Sequence, residues 1–475
     1  MHTQLVVLGG GPGGYAAAFL AADEGLDVTL VEAEPRLGGT CLLRGCIPSK
    51  ALLHVARVIS EVNELNHDWG VEFGSPRISI DKLRARKEKV IETLSGGLRQ
   101  LAKRRNVRVI HAKGVFENST TLKLEGSHDS IPPEGTLTFD YCILATGSTP
   151  AMPPNFQLGS DRVMDSTGAL ELKDIPNSLL VVGGGYIGLE MGTVYANLGT
   201  KVSVVELTDG LLPGADRDLV GPLQKNLKKL FEDRIFLNTR VGSLGIRDGS
   251  VEVAFEGPAK FGIERYDRVL VSVGRRPNSR GFGLEKTSVE VNQKGFVTCD
   301  KSQRTADPRI LAIGDVAGEP MLAHKAAHEA KVAVEAVMGK PALFDKAAVP
   351  AVVFTDPEIA WAGLMQDQAA KEGREVEVAV YPWAASGRAQ ALGRTEGFTK
   401  WIIDPKTERV LGCGIVGPGA GELIAEAVLA IEMGCEVRDL TESIHPHPTL
   451  SETVMNAGEI FFGTAVEMYK PKKHK

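Results

Sequence analysis

A chain of 475 residues is too long for one ordinary hydrophobic core and predicts several domains, so sites at domain interfaces are available. A hydrophobic share of 43%, a charged share of 24% and 53 glycines describe a soluble globular protein rich in tight turns. Its 54 basic and 60 acidic residues leave a net charge of -6, which excludes broad attraction of nucleic acid.

The chain enters an apolar strand at Leu5 without a cationic leader, and no segment reaches the ~18 apolar residues that a membrane span requires. The sequence therefore predicts a cytoplasmic protein with no membrane span. In "LVVLGGGPGGYAAAFLAA" the strand Leu5 to Leu8 is followed by Gly9, Gly11 and Gly14 in G-x-G-x-x-G spacing and then by an alanine-rich helix. The first glycine permits the tight turn, the second lets a pyrophosphate approach the backbone, and the third lets helix and strand pack closely. The helix N-terminus offers free N–H groups and a positive dipole end to the phosphates. A second strand, "DVTLVE", ends at Glu32, where a carboxylate accepts hydrogen bonds from a ribose diol.

Next comes "GGTCLLRGCIPSKALL", with Cys41 and Cys46 five positions apart. The six cysteines (Cys41, Cys46, Cys142, Cys299, Cys413 and Cys435) are too few and too scattered for a disulfide framework, so the close pair reads as redox-active or metal-binding. Zinc requires further Cys or His ligands at metal spacing, and none lies nearby in sequence. A redox pair needs no third partner, and Lys50, one turn past Cys46, is placed to favour a thiolate. From Lys82 to Arg108 the chain is locally basic, with Leu83, Val90, Leu94, Leu98 and Leu101 at helical spacing beneath the charge, which predicts a solvated amphipathic helix.

"YCILATGSTPAMPPN" reads as a strand ending at Ala145, Thr146 and Gly147 and leaving the first nucleotide unit. The unit then returns as "SLLVVGGGYIGLEMGTVYANLGTKVSVVE", with Gly183, Gly185 and Gly188 in the loop and Glu206 closing the second strand. Both the first glycine and the acid are displaced by 174 residues. Two dinucleotides are therefore expected. No Arg or Lys occurs from Leu207 to Asp216, so a 2′-phosphate would face Glu206 and Asp209 unopposed, which favours NAD over NADP.

"VLVSVGRRPN", Val269 to Asn278, repeats the strand-then-glycine exit, and "RILAIGDVAGEPMLAHKAAHEA" puts Gly314 and Asp315 at a strand end before another helix. Asp315 there either bonds a sugar-alcohol hydroxyl or caps the helix. "DKA" at Asp345 to Ala347 mimics a lipoyl attachment site, but no lipoyl module surrounds it in sequence. From about Val349 a run of strands followed by helical "GELIAEAVLAIEMG" predicts an α+β domain appended to two α/β units. In "HPHPTLSE", His447 lies between Pro446 and Pro448, with Glu452 five residues on to bond one ring nitrogen; on local pattern alone, a structural histidine is the rival reading.

Taken together, "GGTCLLRGCIPSK", the two glycine loops, "ATGS", "VGRRPN", "AIGD", "AHKA" and "HPHPTLSE" run from Gly9 to Glu452 in one order and resemble the dihydrolipoamide dehydrogenase branch of the flavoprotein disulfide reductase family. The resemblance covers nearly the whole chain. It implies an α/β fold with two Rossmann-like dinucleotide-binding domains and a C-terminal α+β dimerisation domain. The expected divisions are residues 1–149 (FAD-binding, first part), 150–275 (NAD-binding), 276–347 (FAD-binding and central, second part) and 348–475 (dimerisation).

FAD is implied at the first glycine loop, NAD at the second, and a homodimer through the C-terminal domain. The resemblance assigns Cys41 as the thiol that exchanges with substrate and Cys46 as the thiol against the flavin. It also implies a Lys50–Glu190 contact that tunes the flavin, and His447, oriented by Glu452, as base for the other subunit's site. Gly114, Thr146, Gly147, Asp315, Ala323 and Gly274 join the cofactor-binding residues on the same ground. Leu43 departs from the pattern, standing where the family commonly has Asn.

The implied reaction converts dihydrolipoamide, carried on lipoyl domains of multienzyme complexes, and NAD to lipoamide and NADH. Glutathione reductase would want basic residues after Glu206, and mercuric reductase a cysteine pair near the C-terminus, where the chain has "YKPKKHK". A scaffold with a vestigial redox site is opposed by the intact set Cys41, Cys46, His447 and Glu452.

Overall fold

The computed structural model describes residues 1–258 and 262–468, with the side chains of residues 67 and 68 left aside; the tail "YKPKKHK" lies outside the described residues. A first sheet takes the order Arg108–His111, Val28–Glu32, His2–Leu8, Thr136–Leu144, Thr121–Glu125, Lys113–Asn118. The strand His2–Leu8 pairs in parallel with both neighbours and is buried almost throughout, as a central parallel strand with covered faces must be. It begins before Leu5 because Thr3, fully buried, donates its hydroxyl to the Asp27 carbonyl at 2.8 Å. Thr136–Leu144 is long enough to change partners: its far half pairs in parallel with Ile310–Ala312, a strand that arrives only after the second nucleotide unit. Helices Pro12–Asp23 and Ala323–Val337 pack on each other against this sheet, so distant segments close one core.

The second sheet is parallel throughout, in the order Ile235–Phe236, Lys201–Val205, Ser178–Val182, Arg268–Val271, Val163–Met164. An antiparallel trio, Arg240–Arg247, Ser250–Glu256 and Ile263–Tyr266, flanks it. The two exits read from sequence find each other, since Ser148–Pro150 and Arg275–Pro277 form an antiparallel ribbon where the chain crosses between the nucleotide units. The C-terminal sheet runs Ala351–Val353, Ile359–Gly363, Val410–Val416, Phe398–Ile403, Glu377–Pro382, all antiparallel, with helices Ala420–Met433 and Glu452–Phe462 packed on it.

This third unit is tied to the second by Lys400, fully buried, whose ammonium bonds Asp216 at 2.6 Å and Asp218 at 2.7 Å. Removing one partner of such a pair leaves a buried charge uncompensated, at a cost of about 3–5 kcal/mol. Asp345 to Ala347 lie in the strandless stretch between Ala323–Val337 and Ala351–Val353, so no lipoyl-type sheet pair surrounds Lys346.

The basic helix is Ile80–Arg104, but its inner face differs from the expected stripe. Ile91, Ser95 and Ala102 are buried, whereas Leu94 and Leu101 face outward with 44% and 39% exposure. The rotation follows from polar ties that a hydrophobic count does not see. Ser95 donates to the Leu37 carbonyl at 2.9 Å, and Lys87, on the same inner face, donates to the Leu170 carbonyl at 2.7 Å. Burial lowers the pKa of Lys87, so this cation is not part of the solvated face.

Candidate active site

The first glycine loop and the strand ends beside it open into a cleft of about 870 Å³ lined by Gly9, Gly11, Glu32, Gly114 and Thr146 among others. Gly9 has φ +110° and Gly14 lies against its carbonyl; a Cβ on Gly9 would sit 2.3 Å from the Ala145 oxygen, and one on Gly14 1.7 Å from the Gly9 oxygen. A Cβ on Gly11 would meet only Gly39 Cα at 3.8 Å, so this glycine borders open space at the N-cap of helix Pro12–Asp23, which no side chain caps. That division of labour fits a pyrophosphate seated on the helix end. Glu32 accepts from Gly10 N at 2.6 Å and Glu34 N at 2.9 Å; burial raises its pKa, and the two backbone donors oppose that rise.

The second loop repeats the geometry. Gly183 has φ +107° and would place a Cβ 2.5 Å from the Ser272 oxygen; Gly188 would meet the Gly183 oxygen at 2.5 Å, and Gly185 would meet nothing within 4 Å. Glu206 accepts from Gly184 N at 2.6 Å and Thr208 N at 2.8 Å. Arg217, the residue after Asp216, is consumed by the carbonyls of Leu211, Leu212 and Ala215 and is not free for a 2′-phosphate.

A smaller cavity of about 140 Å³ adjoins the first cleft and is lined by Cys41, Cys46, Lys50, Glu190, Asp315 and Ala323 among others. Helix Gly39–Arg44 carries Cys41, and the long helix Cys46–Asp68 begins at Cys46, so the tight Gly45 turn folds one thiol onto the other. Both cysteines are thiols in the structure, within hydrogen-bonding reach of each other. The bond from Cys41 lowers the Cys46 pKa to about 7, with burial opposing and the Lys50 ammonium assisting. The same bond, joined by burial, drives the Cys41 pKa upward.

Lys50 reaches the buried Glu190 at 2.8 and 3.0 Å and lies 4.5 Å over the Phe354 ring, while Phe354 N donates to Glu190 at 3.1 Å. All three units thus meet beside the thiols. Asp315 is not a helix cap. Helix Ala323–Val337 is capped by Leu322, and the Asp315 carboxylate accepts from Ser148 Oγ at 2.5 Å, with Arg275 donating to the same hydroxyl at 2.7 Å.

Thr146 and Gly147 are knitted to Asn278: Thr146 Oγ1 donates to its carbonyl at 2.7 Å, and its backbone N donates to Gly147 O at 2.9 Å. Gly147 (φ +71°) and Gly274 (φ +117°) sit at the crossover ribbon rather than on the walls of either cavity, and Leu43 lines neither. His447 Nδ1 is 2.9 Å from Glu452 Oε1, whose other oxygen accepts from Thr449 N at 2.7 Å. The His447 side chain is 78% exposed and is not on the wall of its own chain's thiol cavity.

Sequence reasoning missed Tyr186, Arg275 and Arg44. Tyr186 lines the thiol cavity and follows directly on Gly185 in the second glycine loop.

A model of the pyridine nucleotide-disulphide oxidoreductases matches residues 3–330, and one of their dimerisation domain matches residues 349–457. The chain belongs to this family. It is 47% identical to a dihydrolipoyl dehydrogenase of Vibrio cholerae, covering 100% of this chain and 99% of the relative. A dihydrolipoyl dehydrogenase of Geobacillus stearothermophilus is 40% identical, covering 98% of each. Among solved structures, LpdA from Mycobacterium tuberculosis superposes with a TM-score of 0.88 at 28% identity, covering 97% of this chain and 99% of that one.

The protein is accordingly an oxidoreductase with FAD and NAD as its cofactors, carrying two dinucleotide-binding α/β units and a dimerisation domain. Among the described residues no helix is long and apolar enough to cross a membrane.

Proposed function

We propose that the chain oxidises dihydrolipoamide to lipoamide and reduces NAD to NADH, working as a homodimer on lipoyl domains of 2-oxo acid dehydrogenase or glycine cleavage complexes. The observation that carries this reading is the Cys41–Cys46 contact in a cavity that opens into a dinucleotide cleft. Its full-length likeness to dihydrolipoyl dehydrogenases supports the substrate. We further propose the division 1–149, 150–275, 276–347 and 348–475, supported by the late strand Ile310–Ala312 closing the first sheet.

In this reading FAD lies along the first cleft, held by Gly9, Gly11, Gly14, Glu32, Gly114, Thr146, Asp315 and Ala323, with its ring toward Cys46, Lys50 and Glu190. NAD binds at the second glycine loop, held by Gly183, Gly185, Gly188 and Glu206. Gly147 and Gly274 supply the positive-φ turns at the crossover that shape both. The exposed Nε2 of His447 takes a proton from a substrate thiol bound at the partner's cavity, while Glu452 fixes the ring through Nδ1.

The substrate thiolate attacks Cys41 of the Cys41–Cys46 disulfide, and Cys46 departs as a thiolate beside Lys50. The second substrate thiol then displaces Cys41, closing the lipoamide ring and returning a proton to the Cys41 sulfur. The chemistry that bound FAD supplies is acceptance of the electron pair from the dithiol and its delivery as hydride to NAD, which restores the disulfide. The test is a steady-state comparison of lipoamide, glutathione and mercuric ion with NADH and NADPH, beside a visible spectrum before and after dihydrolipoamide. Lipoamide with NADH should dominate; a colourless protein, or preference for another acceptor, would overturn the reading.

A further inference from the structure

Arg44, the last residue of helix Gly39–Arg44 between the two cysteines, lines both the dinucleotide cleft and the thiol cavity. Three other residues share that position: Gly11, Thr40 and Ala145. These four mark the throat between the cavities, through which any molecule reaching from Glu32 to Cys46 must pass. Gly11 is the uncapped helix end at that throat. Among the described residues, Arg44 is the cation common to both walls.

Its Nη1 lies 2.9 Å from Glu34 Oε1, and Glu34 is itself fixed by its backbone bond to Glu32. One edge of the guanidinium is held by this pair, which leaves the remaining N–H groups of a planar fork whose geometry suits phosphate oxygens. The local charge makes the same point. Glu32 and Glu34 already place two carboxylates beside a throat that must accept two more negative charges with a diphosphate. Arg44 and the helix end are what offset them.

We propose that Arg44 is a diphosphate-binding residue of the FAD site, held in place by Glu34. This rests on the reading that FAD occupies the first cleft. It gives Arg44 a role apart from that of Lys50, the cation beside Cys46.

The experiment uses full-length protein stripped of FAD and titrated with FAD by flavin fluorescence at low and high salt. Arg44→Val should weaken binding roughly ten-fold at low salt, as expected for loss of a charge-assisted contact, and the gap should narrow at high salt. Arg44→Lys, keeping the charge but losing the fork, should fall between Val and wild type. Glu34→Gln, which keeps an oxygen that accepts from Arg44 but removes the carboxylate charge, separates a ligand role from a merely structural ion pair: it should leave FAD binding unchanged or tighter, whereas a structural pair would give Glu34→Gln and Arg44→Val the same loss. Equal affinity of Arg44→Val and wild type, a loss indifferent to salt, or matched losses in the two variants overturn the assignment. Failure of wild-type protein to take up FAD would instead sink the reading of the cleft.

Discussion

The two glycine loops share their local chemistry and differ in what covers them. Each begins with a glycine of φ near +110°, each places an acid that accepts from the second loop residue at 2.6 Å, and each ends in an uncapped helix start. Over the first, however, the redox helix folds down: a Cβ on Gly39 would stand 2.5 Å from Gly11 Cα. Over the second the following segment reaches only the middle of the loop, with Leu212 N donating to the Gly184 carbonyl at 2.9 Å, while a Cβ on Gly185 would meet nothing within 4 Å and Tyr186 and Leu207 are 41% and 66% exposed. A covered site retains its ligand and an open one exchanges it. In the proposed assignment the same motif serves a resident flavin in one copy and a diffusing nicotinamide in the other, and the difference lies in how far the segment after the acid covers the loop.

The largest effect should come from that covering segment. Cys41→Ser is expected to abolish dihydrolipoamide turnover while FAD stays bound, read as visible flavin absorbance beside a zero rate; full activity in this variant refutes the thiol assignment. His447→Gln should come next, with a loss of roughly 10²–10⁴-fold in kcat/KM. A drop smaller than about tenfold excludes a general-base role. Mixing the Cys41→Ser and His447→Gln proteins sharpens the point, because a base supplied across the dimer should restore measurable activity in hybrids that carry one intact site.

Much of this was legible before any coordinates. The duplicated loop, the acids at Glu32 and Glu206 and the cysteine spacing are local signals, set by backbone sterics and short-range chemistry that a sequence displays directly. What the sequence concealed is long-range. The rotation of helix Ile80–Arg104 depends on the carbonyls of Leu37 and Leu170, far away along the chain. Likewise, the helix-cap reading of Asp315 fails because its partner is Ser148, 167 positions earlier. Arg44 carries no signal in the sequence, because a lone arginine between two cysteines has no periodicity; only the shared cavity wall gives it meaning.

The second loop allows a test of specificity. With Arg217 tied to three carbonyls and the Glu206 carboxylate at the second loop, wild-type protein should prefer NADH to NADPH. Glu206→Ala, by removing both the acceptor for the ribose hydroxyls and the charge that repels a 2′-phosphate, should narrow the ratio of the two kcat/KM values by about tenfold, through a higher KM for NADH and a lower one for NADPH. The same change at Glu32 should instead weaken FAD retention and leave the coenzyme ratio alone. If Glu206→Ala left the ratio unmoved, the acid would be a loop brace only, which its bonds to Gly184 and Thr208 would suffice to explain.

The smallest expected effect lies at Cys46, on the wall of the thiol cavity. Cys46 has its folded pKa lowered to about 7, from about 8.5 for an ordinary thiol, through the bond from Cys41 and the nearby Lys50. A lowered value in an acidic group favours the folded state above the unfolded pKa, and that contribution is lost as pH falls toward 7. Reduced, FAD-free protein should therefore show a thiolate absorbance step centred near pH 7 that vanishes in Cys46→Ser. Lys50→Met removes one lowering influence and should move the step upward, while Cys41→Ala, which removes the larger one, should move it further. A step insensitive to Cys41, or one that persists in Cys46→Ser, would show that the two thiols do not share the proton, and the electron pair would then lack its poised donor beside the flavin.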